Sequence, residues 1–313
     1  MSSSPVPAAD VAVTPPAPLD HDEDMLDLFL KRKALRSPAT AAKYRRELAR
    51  FRAAVPQPLH AVTFGDLQRY VESRTGLRAP ASQALAVAIL RSFFRFCLRL
   101  GYLPLNPADL LEPPRVPCTS DLRWCLPDEL AAILAAADRL NPTAGLLCAV
   151  LALTGLRIAE AAGIRWSAFL RDPHGNVGLR VIGKGGKERT LKVRPDLWRR
   201  ITAARRAQGL SEEPGSGGNE PLFPNRWGRP CSVTYLRRLV GQTARAAGVA
   251  KPVSPHWFRH SHATLALAGG ASLLQVQRDL GHASLAVTQR YLHLAQGLRE
   301  GSSDYVRVTL PGE

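Results

Sequence analysis

The stretch from His256 to Leu294, HWFRHSHATLALAGGASLLQVQRDLGHASLAVTQRYLHL, concentrates side chains that can act on a phosphate group. It contains five of the eight histidines of the chain, three arginines and one tyrosine, Tyr291, with a single aspartate, Asp279. Guanidinium groups bind phosphate oxygens in a bidentate manner, and a phenol can serve as a nucleophile. This composition points to chemistry on a phosphodiester.

Attack on a phosphodiester without a metal ion requires a defined set of groups. Negative charge builds up on the non-bridging oxygens in the transition state, and two planar guanidiniums can neutralise it. The nucleophile must be a side-chain hydroxyl, and the departing alkoxide needs a proton from a positioned acid. The sequence contains groups of all these kinds: Arg157, Lys184, His256, Arg259, His282 and Tyr291.

Each member of this set also has a simpler, structural explanation. Arg157 in TGLRIAE has Glu160 three residues later, a spacing typical of an ion pair at a helix start. Lys184 lies in the glycine-rich turn GKGGKER, where an exposed lysine commonly serves solubility. Tyr291 occupies the apolar face of a predicted helix, as a core tyrosine would. The catalytic interpretation depends on all of them occurring in one chain.

A metal site is the main chemical alternative. His256 and His260 have the spacing of two zinc ligands on one helix face, but no glutamate follows His256, so the metalloprotease motif is absent. A two-metal mechanism would require clustered acidic ligands, and Asp279, Glu160 and Glu188 do not form a convincing set. We therefore predict a reaction that needs neither a metal nor another cofactor.

The charge balance of the chain indicates a polyanionic partner. The 313 residues include 42 lysines and arginines against 26 acidic residues, giving a net charge of +16 and a pI of about 10.4. Neutralising phosphates with such side chains releases condensed counterions and supplies affinity for nucleic acids. An RNA-binding structural protein is less favoured, because the sequence has no aromatic RNA-binding signature.

The first part of the chain is predicted to be helical. Residues 1–24, which begin with a Pro/Ala-rich stretch, are expected to be a disordered leader, and residues 25–111 to form a bundle of about four helices. Ser37, followed by proline, is a helix-start signal, and Thr63 with Asp66 forms a weak capping-box signal. The candidates for contact with a nucleic acid on this bundle are Lys43, Arg45, Arg46, Arg50, Arg91 and Arg95.

A second domain is predicted after a proline-rich linker at residues 112–121. We assign residues 122–300 to this domain and residues 301–313 to a C-terminal tail. Helical patterns dominate it, but the period changes to alternation around the glycine-rich turn, from Val177 to Ile182 and from Arg189 to Val193, which predicts a β-hairpin. The fold class is therefore mainly α with a small β-hairpin or sheet.

The cysteines and the apolar runs of the sequence indicate the cellular compartment in which the protein is expected to lie. The five cysteines include no CxxC pair and several lie in apolar runs, which predicts buried free thiols in a reducing compartment. The N-terminal stretch lacks the features of a signal peptide. The apolar run GLLCAVLALTGL is too short to span a bilayer. We expect a cytoplasmic protein.

Five motifs, in their order and spacing, resemble those of the tyrosine recombinases, also called phage-integrase or Xer-type recombinases. They are TGLRIAEAAGIRW, VIGKGGKERTL, HWFRH, LGH and TQRYLHL. The resemblance covers about Leu122 to Leu298, and the preceding bundle resembles the core-binding, SAM-like domain of that family. Any single motif would be weak, whereas five in the correct order are specific.

The resemblance implies roles for individual residues. Tyr291 would be the nucleophile that forms a 3′-phosphotyrosyl link, and Lys184 the acid that protonates the departing 5′-oxygen. Arg157 corresponds to the first catalytic arginine, with Glu160 at a supporting acidic position. The remaining catalytic positions correspond to His256, Arg259 and His282. Phe258 and Gly186 depart from the residues frequent in the family, without removing a catalytic group.

The resemblance also implies a partner, an assembly and two rival activities. The partner is double-stranded DNA, and four protomers would act in pairs on two DNA sites without ATP or metal. A type IB topoisomerase-like enzyme would use the same chemistry on one site. A regulator of the same fold would bind DNA without a covalent link. The role in phage integration, mobile-element transposition or chromosome resolution stays open.

Overall fold

The computed structural model describes residues 21–74, 79–115, 123–183, 186–214, 218–282, 288–289 and 291. These residues form two compact units, divided between positions 117 and 118. Most of the predicted leader, the C-terminal tail and Lys184 lie outside the described residues. Helices dominate both units, as the fold class predicts.

The N-terminal unit contains the four predicted helices. They are α1 (Asp22–Arg36), α2 (Pro38–Ala54), α3 (Phe64–Glu72) and α4 (Pro80–Arg99). The predicted start signals are confirmed, since the Ser37 hydroxyl accepts a hydrogen bond from the Thr40 N–H at 3.3 Å and Thr63 forms a capping box with Asp66. Each cap satisfies backbone donors that a helix start leaves without an intrahelical partner.

Aromatic side chains fill the core of this unit. Phe93 and Phe94 of α4 are fully buried and contact Phe29 and Phe51 with ring centroids 5.3 and 5.8 Å apart. Helix α4 is long and apolar enough to cross a membrane, but half of its 18-residue apolar window is buried inside the protein. We therefore interpret its apolar face as the core of a helical bundle.

The second unit contains seven described helices and a three-stranded sheet. The helices are α5 (Pro127–Leu140), α6 (Pro142–Thr154), α7 (Ile158–Ala162), α8 (Pro195–Arg206), α9 (Val233–Ala246), α10 (Pro255–Ala268) and α11 (Leu273–Leu280). The strands are β1 (Phe169–Arg171), β2 (Val177–Ile182) and β3 (Glu188–Val193).

The sheet is antiparallel in the order β1-β2-β3, and its β2–β3 pair is the predicted hairpin. Val177 pairs with Val193 and Ile182 with Glu188, so the strands converge on the glycine-rich turn. The third strand, β1, has only three residues and was not predicted, because so short a segment shows no measurable alternation.

Helix α6 is the centre of this unit. It is apolar on all sides and buried along most of its length, with α5, α8, α9 and α10 packed around it. It ends at Gly155, whose φ of 62° lies in the left-handed region that favours glycine. The break predicted at Thr154-Gly155 is therefore confirmed, and it turns the chain into α7.

We expect Gly155→Ala to destabilise the protein far more than Gly248→Ala. Both glycines have positive φ, 62° and 72°, so both substitutions carry the left-handed backbone cost of about 1 kcal/mol. A Cβ at Gly155 would also meet Leu280 Cδ2 at 2.6 Å and His262 Cδ2 at 2.8 Å, whereas the space around Gly248 is open. Overpacking raises the expected cost at Gly155 to about 3 kcal/mol.

Denaturant unfolding of the two variants checks this expectation. Equal losses of unfolding free energy would contradict it, since the two positions differ chiefly in what surrounds the added methyl group.

Four cysteines, Cys97, Cys125, Cys148 and Cys231, are buried free thiols, as predicted, and Cys118 lies outside the described residues. Burial raises the pKa of the Cys148 thiol to about 12. These thiols therefore stay protonated and serve the packing of the core.

Candidate active site

Glu160 anchors Arg157 at the start of α7. The Glu160 carboxylate accepts hydrogen bonds from the backbone N–H and from Nη1 of Arg157, both at 2.9 Å. The Glu160 side chain is only 6% exposed, whereas that of Arg157 is 35% exposed. The pairing therefore orients the Arg157 guanidinium while leaving part of it accessible to a ligand.

A second arginine, Arg189 of β3, binds the same carboxylate. Its Nη1 and Nη2 donate to the two oxygens of Glu160 at 3.2 and 2.8 Å, and its Nε donates to the Asp279 carbonyl at 2.7 Å. Burial opposes ionisation of Glu160, but hydrogen bonds from Arg189 and Arg157 outweigh it and lower its pKa. Glu160 is therefore an anion at neutral pH.

Arg259 of α10 links the end of α6 to the end of α11. It is buried, and it donates from Nη1 to the Gly155 carbonyl at 2.9 Å and from Nη2 to the Leu280 carbonyl at 2.5 Å. Burial, followed by the positive charge of Arg157, lowers the pKa of Arg259 to about 10. The guanidinium still carries its charge at neutral pH, where an anionic ligand can be bound.

The histidines of α10 differ in their surroundings. His256, at the first turn of the helix, is exposed, and its pKa is lowered by partial desolvation and by the positive charges of Arg259 and Arg157. His262 places Nδ1 3.0 Å from the Ala152 carbonyl and thereby connects α10 to α6. His256 is thus accessible from solvent, and His262 supports the packing.

His282 and Tyr291 lie against each other. Gly281 ends α11 with a left-handed φ of 64°, and His282 follows it. The imidazole stacks on the Tyr291 ring with centroids 6.2 Å apart, and His260 contacts that ring edge-on at 5.1 Å. The nucleophile candidate is therefore held between two histidines and is itself buried.

Thr288, which was not among the predicted site residues, contacts His282. Its Oγ1 lies 2.9 Å from Nδ1 of His282, and the residue is fully buried. A hydroxyl that donates to Nδ1 leaves the proton of a neutral imidazole on Nε2. Thr288 precedes Tyr291 by one helical turn, and this spacing is the only sequence signal that could have identified it.

We expect the free energy of unfolding to fall as pH decreases from about 6.5 to about 4, in part through His282. Burial, then the charges of Arg259 and Arg157, lowers the pKa of His282 to about 4, against 6.5 for an unperturbed histidine. In that window the unfolded chain binds the proton and the folded chain does not, so stability is lost as pH falls.

The imidazole is only half-buried, so solvent screening reduces the His282 contribution to on the order of 1 kcal/mol. Denaturant unfolding at several pH values, with His282→Asn as the matched control, isolates this contribution from those of the other histidines. An identical pH dependence in the two proteins would contradict the assignment.

Five of the predicted site residues form a connected cluster. Arg157 and Glu160 are hydrogen-bonded, Arg259 bridges the adjacent Gly155 to the end of α11, and His282 stacks on Tyr291. Lys184 lies outside the described residues, and the DNA-contact candidates belong to the N-terminal unit. Within the described ranges, no three histidine, cysteine or acidic side chains are placed to share a metal ion.

Comparison with known proteins places the chain in a family. The phage integrase family matches residues 123–297, and the N-terminal SAM-like domain of phage integrases matches residues 26–101. The chain belongs to the phage integrase family. Its predicted family and fold class are thereby confirmed.

Several proteins similar to this chain are named as recombinases. A relative named tyrosine recombinase XerC, from Pelobacter propionicus, is 33% identical over 283 residues, which cover 86% of this chain and 89% of the relative. A structure of XerH site-specific recombinase bound to palindromic difH substrate has a TM-score of 0.72 at 21% identity, covering 89% of this chain and 83% of that one.

A lambda integrase tetramer bound to a Holliday junction has a TM-score of 0.69 at 19% identity, covering 84% of this chain and 77% of that chain. At such identities, these two structures support the shared fold alone.

Proposed function

We propose that this chain is a site-specific DNA recombinase that cuts and rejoins DNA through a 3′-phosphotyrosyl intermediate. The observation that carries the proposal is the cluster in which Tyr291, stacked on His282, is assembled with the guanidiniums of Arg157 and Arg259. Tyr291 lies in the electrostatic field of Arg259, and His282 lies in the fields of Arg259 and Arg157. The site therefore combines a nucleophile with groups that can bind the charge of a phosphodiester.

The proposed reaction conserves the energy of the phosphodiester bond. The Tyr291 phenol loses its proton and forms a bond to the scissile phosphorus, and the bond from phosphorus to the 5′-oxygen breaks. Lys184 supplies the proton that the departing 5′-oxygen takes up. The 5′-hydroxyl of a partner strand then attacks the phosphotyrosine and releases the enzyme. Neither step consumes ATP, because each exchanges one phosphodiester for another.

The imidazole of His282 has a role as a neutral hydrogen-bond donor. With its pKa lowered to about 4, it is uncharged at neutral pH. A neutral imidazole with its proton on Nε2 can donate to a non-bridging phosphate oxygen without adding charge. We assign His256 a similar donor role from the start of α10, and Glu160 the role of fixing Arg157.

Recombination implies that several protomers act together on two DNA sites in the cytoplasm. We propose a homotetramer, in which pairs of protomers cleave in turn through a four-way junction. A lambda integrase of related fold forms a tetramer bound to a Holliday junction, and the proposal carries that arrangement over to this chain. We also propose that the residues after Gly297 dock on a neighbouring protomer. Unchanged tetramer assembly on DNA after their deletion would contradict this.

The N-terminal unit offers a surface suited to DNA phosphates. A cavity of about 530 Å³ between α1 and α4, called here the α1–α4 groove, has no aspartate or glutamate among the described residues that line it. Its cationic residues are Arg32, Lys33, Arg36, Arg91, Arg95 and Arg99. The groove that contains Arg45 is also lined by Glu23 and Asp27. Among the predicted DNA contacts, this difference favours Arg91 and Arg95 over Arg45.

We expect the double variant Arg95→Gln with Arg99→Gln to bind DNA more weakly and with a smaller salt dependence. Both arginines are exposed, and within the described residues neither forms an ion pair with a carboxylate. Losing two phosphate contacts reduces the magnitude of the slope of log K against log salt concentration by about 2. Fluorescence anisotropy with labelled DNA over a salt series measures this slope.

The control is Arg194→Gln with Arg206→Gln. These arginines are also exposed, but each already pairs with a carboxylate, Asp196 or Glu212. An unchanged slope is expected for the control. If both double variants lose the same slope, DNA does not bind preferentially in the α1–α4 groove.

A suicide DNA substrate tests the proposed function. This substrate loses its 5′-hydroxyl fragment after cleavage, so a recombinase accumulates as a covalent protein–DNA adduct, and mass spectrometry of the adduct should identify Tyr291. A DNA-binding regulator would form no adduct. A topoisomerase-like enzyme would form one but would relax supercoils as a monomer without exchanging strands between two sites.

A further inference from the structure

Arg189 connects three elements of the site although it was not predicted to belong to it. Its Nη1 and Nη2 bind both oxygens of Glu160, which also holds Arg157, and its Nε binds the Asp279 carbonyl at the end of α11. Its side chain is only 9% exposed. All three nitrogens of the guanidinium are therefore engaged within the protein.

The bond to Asp279 matters because of where α11 ends. The last carbonyls of a helix have no intrahelical partner and carry partial negative charge, so cations bind them favourably. Here two consecutive carbonyls, those of Asp279 and Leu280, accept from Arg189 and Arg259 respectively. His282 follows after one residue, so its position depends on both arginines.

Two glycines leave the space that the Arg189 guanidinium occupies. A Cβ built on Gly281 would lie 3.3 Å from its Nη1, and one built on Gly183 would lie 3.2 Å from the same atom. Gly183 precedes Lys184 in the sequence, and Gly281 precedes His282. The guanidinium is thus packed between the two backbone segments that lead to these predicted catalytic residues.

We propose that Arg189 is a positioning residue that sets the geometry of Arg157 and His282 for DNA cleavage. Its side chain is buried, and each of its three nitrogens already donates a hydrogen bond within the protein, so it acts through its neighbours. The inference rests on the proposed function, because its effect is read in the rate of adduct formation.

The test is Arg189→Lys, assayed with the suicide substrate under single-turnover conditions at saturating DNA. Lysine retains the charge but cannot bind both carboxylate oxygens and the Asp279 carbonyl in one planar arrangement. A displacement of about 1 Å in the catalytic groups lowers the rate constant about 100-fold. We expect this loss, with a dissociation constant for DNA within about twofold of wild type.

Arg205→Lys is the matched control. Arg205 is also a buried arginine of this unit, its Nε donates to the Ser211 carbonyl at 2.6 Å, and it lies over the Trp166 ring. Its contacts within the described residues are thus with other residues than those around Glu160. A purely structural loss would appear in both variants as a lower melting temperature. Only Arg189→Lys is expected to change the rate constant, which is measured per bound complex.

Gly183→Ala is a second variant, because its Cβ would crowd the Arg189 guanidinium at a backbone conformation that alanine tolerates. We expect a slower reaction, and no further slowing when this change is combined with Arg189→Lys. If either single variant reacts at the wild-type rate, or if Arg205→Lys is slowed equally, the inference is wrong. Absence of an adduct with the wild-type protein would instead refute the proposed function.

Discussion

Tyr291→Phe is expected to abolish the covalent protein–DNA adduct, with a loss of at least about 10⁴-fold in the cleavage rate. Phenylalanine lacks the oxygen that would bond to phosphorus, and no water molecule can substitute for it in a protein-linked product. The ring itself remains able to pack against His282 and His260, so the fold should be preserved. Gel electrophoresis of the denatured reaction with a labelled suicide substrate measures the adduct.

Tyr235→Phe is the control for this experiment. Tyr235 belongs to the same unit but lies on α9 with its side chain exposed beside Arg238. This variant should form the adduct at the wild-type rate, and both variants should bind DNA as the wild type does. An undiminished adduct with Tyr291→Phe would mean that another side chain is the nucleophile, and the assignment of the site would fail.

Arg259→Lys is expected to lose both activity and stability. The guanidinium makes two charged hydrogen bonds to buried carbonyls, those of Gly155 and Leu280, and one ammonium cannot replace both. Leaving buried acceptors without donors costs about 3 kcal/mol in the free energy of unfolding. If Arg259 also binds the scissile phosphate as proposed, its replacement should lower the cleavage rate about 10³-fold.

Arg157→Lys separates these two effects. The Arg157 side chain is 35% exposed and pairs with Glu160, so its substitution should change the free energy of unfolding by no more than about 1 kcal/mol. Its cleavage rate should nevertheless fall by about 10²-fold or more. Denaturant unfolding and single-turnover cleavage, measured for both variants, check the contrast. Equal stability losses would show that burial does not distinguish the two arginines.

The features that could be predicted from the sequence depend on local signals. The caps at Ser37 and Thr63, the break at Gly155 and the alternation of the hairpin involve residues within a few positions of one another. Local backbone preferences decide such features, and tertiary packing here agrees with them. The family was predicted from the order of the five motifs, because motifs that are weak singly are specific when they occur together.

The features that could not be predicted depend on contacts between distant residues. Arg189 is 29 positions from Glu160 and 90 from Asp279, and nothing in the β3 sequence distinguishes it from an exposed strand arginine. The sequence around Thr288 does not distinguish it from other polar residues. Its role depends on the contact with His282, which follows the turn at Gly281. Strand β1 becomes a strand only because β2 pairs with it.

The single negative charge of Glu160 is smaller than the positive charge of the arginines around it. Arg157 and Arg189 bind it directly, and Arg259 lies within the same electrostatic environment. Without a ligand, the positive charges in this candidate site therefore repel one another, which lowers the stability of the unit. A DNA phosphate supplies the missing counter-charge, so association with the duplex and consolidation of the fold are thermodynamically linked.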